Sequence, residues 1–262
     1  MRVDLPPSAL AAGFQNEPAG THTSRTIMFE ELDALLAACP ADAAYSDYAS
    51  AIVDANILGK RTLTTRKKTL RHLRELYALH ADVPVFAALR ELWQGDPPSR
   101  PLLAVLCAAA RDPLLRCTAQ VVLDAAAGST VAATQLADAV ETAFPHRFGP
   151  GVRARVGRNA ASSWTQSGHL RGRVPKIRAQ ARATPAAAAY ALYLGHLADE
   201  TGSGLFHTIW TSLLDVPESR SRELAAAASR LGWIAYRSAA ETTEVTVRHL
   251  HAVAGRGIEV VP

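Results

Sequence analysis

Through most of the chain, apolar residues return every third and fourth position, the period of a helix with one buried face. Leu32, Leu35 and Leu36 predict a helix over 29–38, closed ahead of Pro40 because the residue before a proline is pushed out of the helical region. Tyr48, Ile52 and Val53 predict a second over 46–56. A third is expected to begin at Thr62 or Thr64, whose hydroxyls suit an N-cap. It runs to residue 79, with Leu70, Leu73, Leu76 and Tyr77 on one side. Further helices are expected over 85–93, 101–110, 113–127 and 130–142, then over 151–164, 174–183, 185–198, 205–214 and 219–231.

After Gly232 the period drops to two. Segments 233–237 and 244–248 predict two short strands joined by 238–243, and 258–261 predicts one more. Residues 1–24 carry Pro6, Pro7, Gly13, Pro18 and Gly20 with little periodicity and read as a flexible leader. The Pro- and Gly-bearing stretch 144–151 reads as an interdomain loop. The expectation is therefore a mainly α protein with helix-turn-helix and winged-helix-like elements and a short C-terminal β-hairpin. A leader over 1–24 precedes an N-terminal helical domain over 25–145 and a C-terminal one over 146–262. No internal repeat is visible.

Of the 262 residues, 48% are hydrophobic, enough for a sizeable core. No apolar run approaches the roughly 18 residues of a membrane span, and the first 20 residues lack the pattern of a signal peptide. Three widely spaced cysteines, Cys39, Cys107 and Cys117, argue against a disulfide framework or a zinc site. They read as small buried hydrophobes of a cytoplasmic protein.

The net charge of +4 says little, but its distribution says more. Between Asp54 and Glu75 lie seven basic residues and no acid; between Glu141 and Asp199 lie nine more and again no acid. The rest of the chain holds 12 basic and 24 acidic residues, so an otherwise acidic protein carries two basic segments. All four lysines fall inside them, which an arginine-rich codon bias would not produce. Such asymmetry is a footprint of polyanion binding.

In the first segment, helix 46–56, a short turn and a hydroxyl-capped basic helix make a helix-turn-helix pattern. A helical hairpin with a solvated basic face reads the same. The candidate contacts are Lys60, Arg61, Thr65, Arg66, Lys67 and Arg71. In the second, the densest polar stretch runs over 158–173. Arg158, Arg171, Arg173, Lys176 and Arg178 would neutralise phosphates, and the hydroxyls of Ser163, Thr165 and Ser167 would donate to them. Asn159 or Gln166 could read an adenine edge, and His169 lies among them. Trp164 belongs to the core on its size alone. Residues 163–168 would form the turn of a second helix-turn-helix, and 171–182 its basic helix. No Walker loop, nucleophile elbow, His-Glu-x-x-His or Cys-x-x-Cys is present, and the longer basic segment has no carboxylate for a metal-dependent nuclease. His169, His196, His207, His249 and His251 are scattered. No cofactor, metal or membrane partner is expected.

Two runs resemble a known family. The first is Ala51-Ile52-Val53-x-x-Asn56-x-Leu58-x-Lys60-Arg61-Thr62-x-x-Thr65, and the second is Trp164-Thr165-x-Ser167-x-x-Leu170-Arg171-x-x-Val174. Both are similar to the N-terminal and mid-chain patterns of the BrxA-like proteins of BREX phage-defence islands. The resemblance spans roughly residues 29 to 250, and only the first run is reasonably specific. It implies an all-α, non-enzymatic, double-stranded-DNA-binding component that acts beside a methyltransferase and other defence proteins. Here Gly168-His169 replaces the hydroxyl-capped helix start of that pattern. Two other readings stand beside it: a helical scaffold docking acidic partner proteins, and a helical RNA-binding protein.

Overall fold

The structure, a computed structural model, describes residues 4–18, 20–239, 242–247 and 249–250. It is mainly α. The helices are α1 (Pro7–Ala11), α2 (Phe29–Ala38), α3 (Tyr45–Val53), α4 (Leu63–Tyr77), α5 (Pro84–Gly95) and α6 (Arg100–Arg111). Then come α7 (Pro113–Arg116), α8 (Ala119–Leu123), α9 (Ala133–Ala143) and α10 (Pro150–Gln166). The last three are α11 (Pro185–Leu197), α12 (Ile209–Ser212) and α13 (Glu218–Arg230). Two antiparallel hairpins complete it, β1 (Leu170–Arg171) with β2 (Ile177–Arg178), and β3 (Ala235–Ala239) with β4 (Thr242–Thr246).

Two helices are apolar all round and must lie inside. In α6 every residue from Leu102 to Ala110 is buried, and in α11 only Pro185 and His196 escape burial. Their alanines leave the backbones little to keep them apart, and α6 and α11 pack together at the centre. Around α6 stand α2, α4, α5, α7 and α10; around α11 stand α5, α12 and α13. One continuous apolar core runs from Ala9 to Leu250, with a smaller cluster of Leu114, Cys117, Val140, Phe144 and Val156 beside it. The 144–151 stretch does not interrupt either cluster.

The expected leader is part of this core. Ala9, Ala12, Phe14 and Ile27 are buried, and Phe14 meets Trp210 edge to face. The Gln15 amide donates to Ala110 O, and the Val85 amide to Ala12 O. Proline and glycine shape this segment rather than loosen it: Gly13 has φ +104, and a Cβ there would meet Val83 at 2.4 Å.

Three expected helices do not form as such; the one over 205–214 divides into a 3-10 turn (Gly202–His207) and the short α12. Residues 113–127 divide into α7 and α8 because the Thr118 hydroxyl donates to Leu115 O and takes a carbonyl the helix would have used. Residues 174–183, expected as a helix, instead form β2 and an extended run to Thr184, with Gly172 at φ +84 turning the chain. At the C-terminus the hairpin is tighter than the expected 238–243 link, with Ala239 opposite Thr242. The expected strand over 258–261, His251 and the end of segment 244–248 lie outside the described residues. All three cysteines are buried and free; burial pushes the Cys107 thiol up to about 11 and Cys117 up to about 12. Among the described residues no helix is long and apolar enough to cross a membrane.

Helix α9 packs back along α10, and Gly157 is the point of closest approach. A Cβ there would stand 2.1 Å from Ala133 O and 3.1 Å from the Ala137 Cβ. Backbone cannot yield as a side chain does, so Gly157→Ala is expected to destabilise the protein by about 1–3 kcal/mol. Chemical denaturation checks it; an unchanged midpoint would mean that the two helices are free to separate.

Candidate nucleic-acid interface

Thr62 is the N-cap of α4: its hydroxyl accepts from the Thr65 amide at 3.1 Å. The first turn of that helix has no acid, and Arg66, Lys67 and Lys68 follow directly at its fourth to sixth positions. Cations at a helix N-terminus oppose its dipole by roughly 0.3–1 kcal/mol each, so this arrangement favours an added anion. The connection from α3 is not a short turn. It takes nine residues, 54–62, because α3 ends at Val53, and Asn56 (φ +52) and Gly59 (φ +60) then turn the chain. A helix-turn-helix uses a link of about three or four residues, so α3–α4 is a looser hairpin.

Half of the first expected cluster serves the fold. Arg66 donates to Val53 O at 3.1 Å and Lys60 O at 3.3 Å, closing the C-terminus of α3. The Lys60 ammonium pairs with Glu31 at 2.9 Å. Thr65 bonds back to Thr62. Arg61, Lys67 and Lys68 are exposed and have no carboxylate partner among the described residues, and Arg71 is exposed with a long 3.5 Å contact to Glu75.

The second cluster divides more sharply. Asn159 donates to His22 O at 2.8 Å, and Gln166 accepts from the Phe29 amide while donating to Thr26. Thr165 donates to Ala161 O within α10. Ser163, Ser167 and His169 are buried, as is Arg178. Trp164 is fully buried, its indole N–H on Thr118. Ser163, Trp164, Ser167, His169 and Arg178 are out of a duplex's reach, while the half-buried Asn159, Thr165 and Gln166 bond within the fold. The expected second helix-turn-helix is absent, because the chain that would be its basic helix begins as the β1–β2 hairpin.

That hairpin is firmly mounted. β2 bonds to β1 on one side and to residues 128–131 on the other, through Gly128 N to Arg178 O, Arg178 N to Ser129 O and Val131 N to Lys176 O. Arg178 grips Asp215 with two parallel bonds of 2.8 and 2.5 Å and also donates to Ala179 O. Burial opposes the Asp215 charge, but Arg178 and the Ala181 amide hold that carboxyl below its ordinary range. Outward from this base stand Arg171 and Arg173, both exposed, and Lys176, whose ammonium donates to Gly172 O. Arg158 of α10, Arg173 and Lys176 line one cleft of about 390 Å³, together with Thr130, Ser162 and Val174. No carboxylate is among its lining residues. Arg155 and Arg182 add further exposed cations.

Of the sixteen basic residues in the two segments, only Lys60, Arg71, Arg153 and Arg178 have a carboxylate within ion-pair reach among the described residues. By contrast α13, ahead of the C-terminal hairpin, neutralises itself through Arg220–Glu223 and Arg222–Glu218. The strand of chain over residues 21–29 touches both basic helices, α4 through Thr21 on Glu75 and α10 through Asn159 and Gln166. It carries an exposed Arg25 between them.

The sequence reading passed over one further constellation. His22 Nδ1 lies 2.7 Å from Asp112 Oδ2, and its Nε2 lies 2.8 Å from Ser163 Oγ. Burial works to raise the Asp112 carboxyl, yet His22 and the His22 and Leu114 amides hold it below the usual range, so it accepts the Nδ1 proton. Serine, histidine and aspartate at these distances have the geometry of an acyl-transfer triad. Access separates it from one. Ser163 and His22 have no exposed surface, Ser163 also donates to Asn159 O, and the Ile27 amide points at Oγ itself. An oxyanion site would need that amide aimed beside the nucleophile. His22 lay in the stretch read as a leader, and nothing local signals a partner 141 residues away.

Among the described residues no three His, Cys, Asp or Glu side chains converge as metal ligands do. No protein-family model matches the chain, and no curated protein matches its sequence.

Two outcomes follow from these contacts. Ser163→Ala strips His22 and the Ile27 amide of a buried partner, so a loss of about 1–3 kcal/mol is expected in urea unfolding. An unchanged midpoint would show that the network does not hold the chain. The second concerns His169, whose ring donates to Leu213 O and faces Arg178 and Asp215. Burial pulls this ring down from 6.5 to about 4. Between those values the unfolded chain binds more protons, so stability present above pH 6.5 is lost as pH falls toward 4. Melting temperatures from pH 7.5 to 4.5 should fall less steeply for His169→Gln than for the native protein. Equal slopes would remove His169 from the account.

Proposed function

We propose that the chain is a non-enzymatic, double-stranded-DNA-binding protein, accessory to a BREX-like phage-defence system. The observation that carries the DNA reading is the cleft where Arg158, Arg173 and Lys176 converge from a helix and a hairpin without a carboxylate among its lining residues. Three unpaired like charges repel one another, and a polyanion relieves that repulsion by releasing its counterions. Arg61, Lys67 and Lys68, at the start of α4, supply a second site for phosphates. The defence setting rests on the resemblance of the runs around Asn56–Thr65 and Trp164–Val174 to BrxA-like proteins. Other defence proteins are then the expected partners.

The test is fluorescence anisotropy with a labelled 30-bp duplex across a salt series. The native protein is expected to bind with affinity that falls steeply as salt rises. Arg158→Ala, Arg173→Ala and Lys176→Ala combined should flatten the log–log slope by about 0.9 per lost phosphate contact. The same change at Arg61, Lys67 and Lys68 reports on α4. Arg66→Ala should instead lower stability, because its guanidinium closes α3. Absence of binding at low salt would sink the DNA reading and leave the docking of an acidic protein as the use of these surfaces.

A further inference from the structure

The middle of the β1–β2 loop is the least expected surface of the protein. Residues 172–176 read Gly-Arg-Val-Pro-Lys, and Val174 is 91% exposed, more than any other large apolar side chain among the described residues. Pro175 beside it is exposed as well. Loop tips are ordinarily built from glycine, asparagine, aspartate and serine, which lose nothing to water. A single exposed valine would need no explanation on a mobile loop. This one is held out rigidly. Gly172 takes φ +84, and a Cβ there would meet Pro175 O at 3.0 Å, so the two limbs of the loop touch. Lys176 ties back to Gly172 O, and below it stand the Thr130–Ile177 bridge and the Arg178–Asp215 pair. Arg171 and Arg173 flank the valine on one limb and Lys176 on the other, with no acid in the loop.

We infer that the β1–β2 hairpin is a wedge: Val174, backed by Pro175, enters between stacked base pairs from the minor groove and kinks the duplex, while Arg171, Arg173 and Lys176 hold the phosphates on either side. This rests on the DNA-binding reading above and adds the form of DNA that is bound. An apolar side chain between base steps trades stacking for burial, and proteins that bend DNA from the minor groove do this with apolar residues and proline flanked by cations. The braced loop suits the task, since a tip already fixed in place gives up little freedom on insertion. Lys176 has two ammonium protons left for phosphate after bonding Gly172 O. The cleft that the tip shares with α10 adds Arg158 as a further cation beside the loop.

The test uses the full chain and a 30-bp duplex carrying a fluorescence donor and acceptor at its ends, intact or with a one-nucleotide gap at the centre. Val174→Ala and Val174→Ser are the variants; the side chain is exposed, and thermal melting verifies that both fold. The native protein is expected to raise energy transfer on the intact duplex. It should bind the gapped duplex about tenfold or more tightly than the intact one, because the gap has already lost its stacking. Both variants should keep the native salt slope yet lose the rise in energy transfer and most of the preference for the gap. Native protein that binds with no change in energy transfer overturns the wedge and leaves the DNA reading standing. So do variants that bend the duplex as the native protein does. Native protein that binds neither duplex overturns both.

Discussion

A carboxylate, an imidazole and a hydroxyl, all shut away from water, join three parts of the chain that lie far apart in sequence. Asp112 caps α7 directly after the central helix α6, His22 lies near the N-terminus, and Ser163 stands late in α10. Buried polar groups are costly unless each finds a partner, so the network admits essentially one placement of residues 20–28. With that segment placed, Tyr77 reaches Ile27 O, Gln166 reaches the Phe29 amide, and α4 and α10 are fixed on either side of it. The positions of both basic surfaces descend from this arrangement.

The same residue type serves opposite purposes along these surfaces. Arg66 and Arg178 are spent on closing the fold, one on a helix end and the other on a carboxylate, while Lys67 and Arg171 next to them in the pattern stay in water. Arginine holds the buried places because its planar fork can satisfy several acceptors at once, as Arg116 does with Ala109, Ala110 and Gln15. Three of the four lysines remain at least partly in solvent without a carboxylate, where a compact hydrated charge loses least.

Much of the helical layout was legible because it follows from periodicity. α2, α5, α6, α10, α11 and α13 have ends within about two residues of those expected, and Leu32, Leu35, Leu36, Tyr48, Ile52 and Trp164 are inside as expected. What escaped was set by distant contacts. Residues 1–24 have too few apolar positions to show a period, yet Ala9, Ala12 and Phe14 find a ready surface on α5, α6 and Trp210. The run 174–183 has helical composition, but Gly172 and Pro175 enforce a turn, and residues 128–131 offer β2 a neighbour no local rule could supply. At the candidate site, charge patterning located the basic segments; it could not sort free cations from structural ones, because Arg66 and Arg71 look alike until their neighbours are known.

The pinned N-terminal segment also sets an order of events for the newborn chain. Residues 20–28 are made before their partners, of which Glu75 and Tyr77 lie 54 and 50 positions downstream, and Asp112 and Ser163 lie 90 and 141. Until α10 emerges, His22 Nε2 and the Ile27 amide lack Ser163, although Glu75, Tyr77 and Asp112 are already there to hold the segment. Loop closure over such distances is slow. The pinning of residues 20–28 is therefore complete only after α10 has emerged, and the interval before that is when proteases and chaperones find the segment.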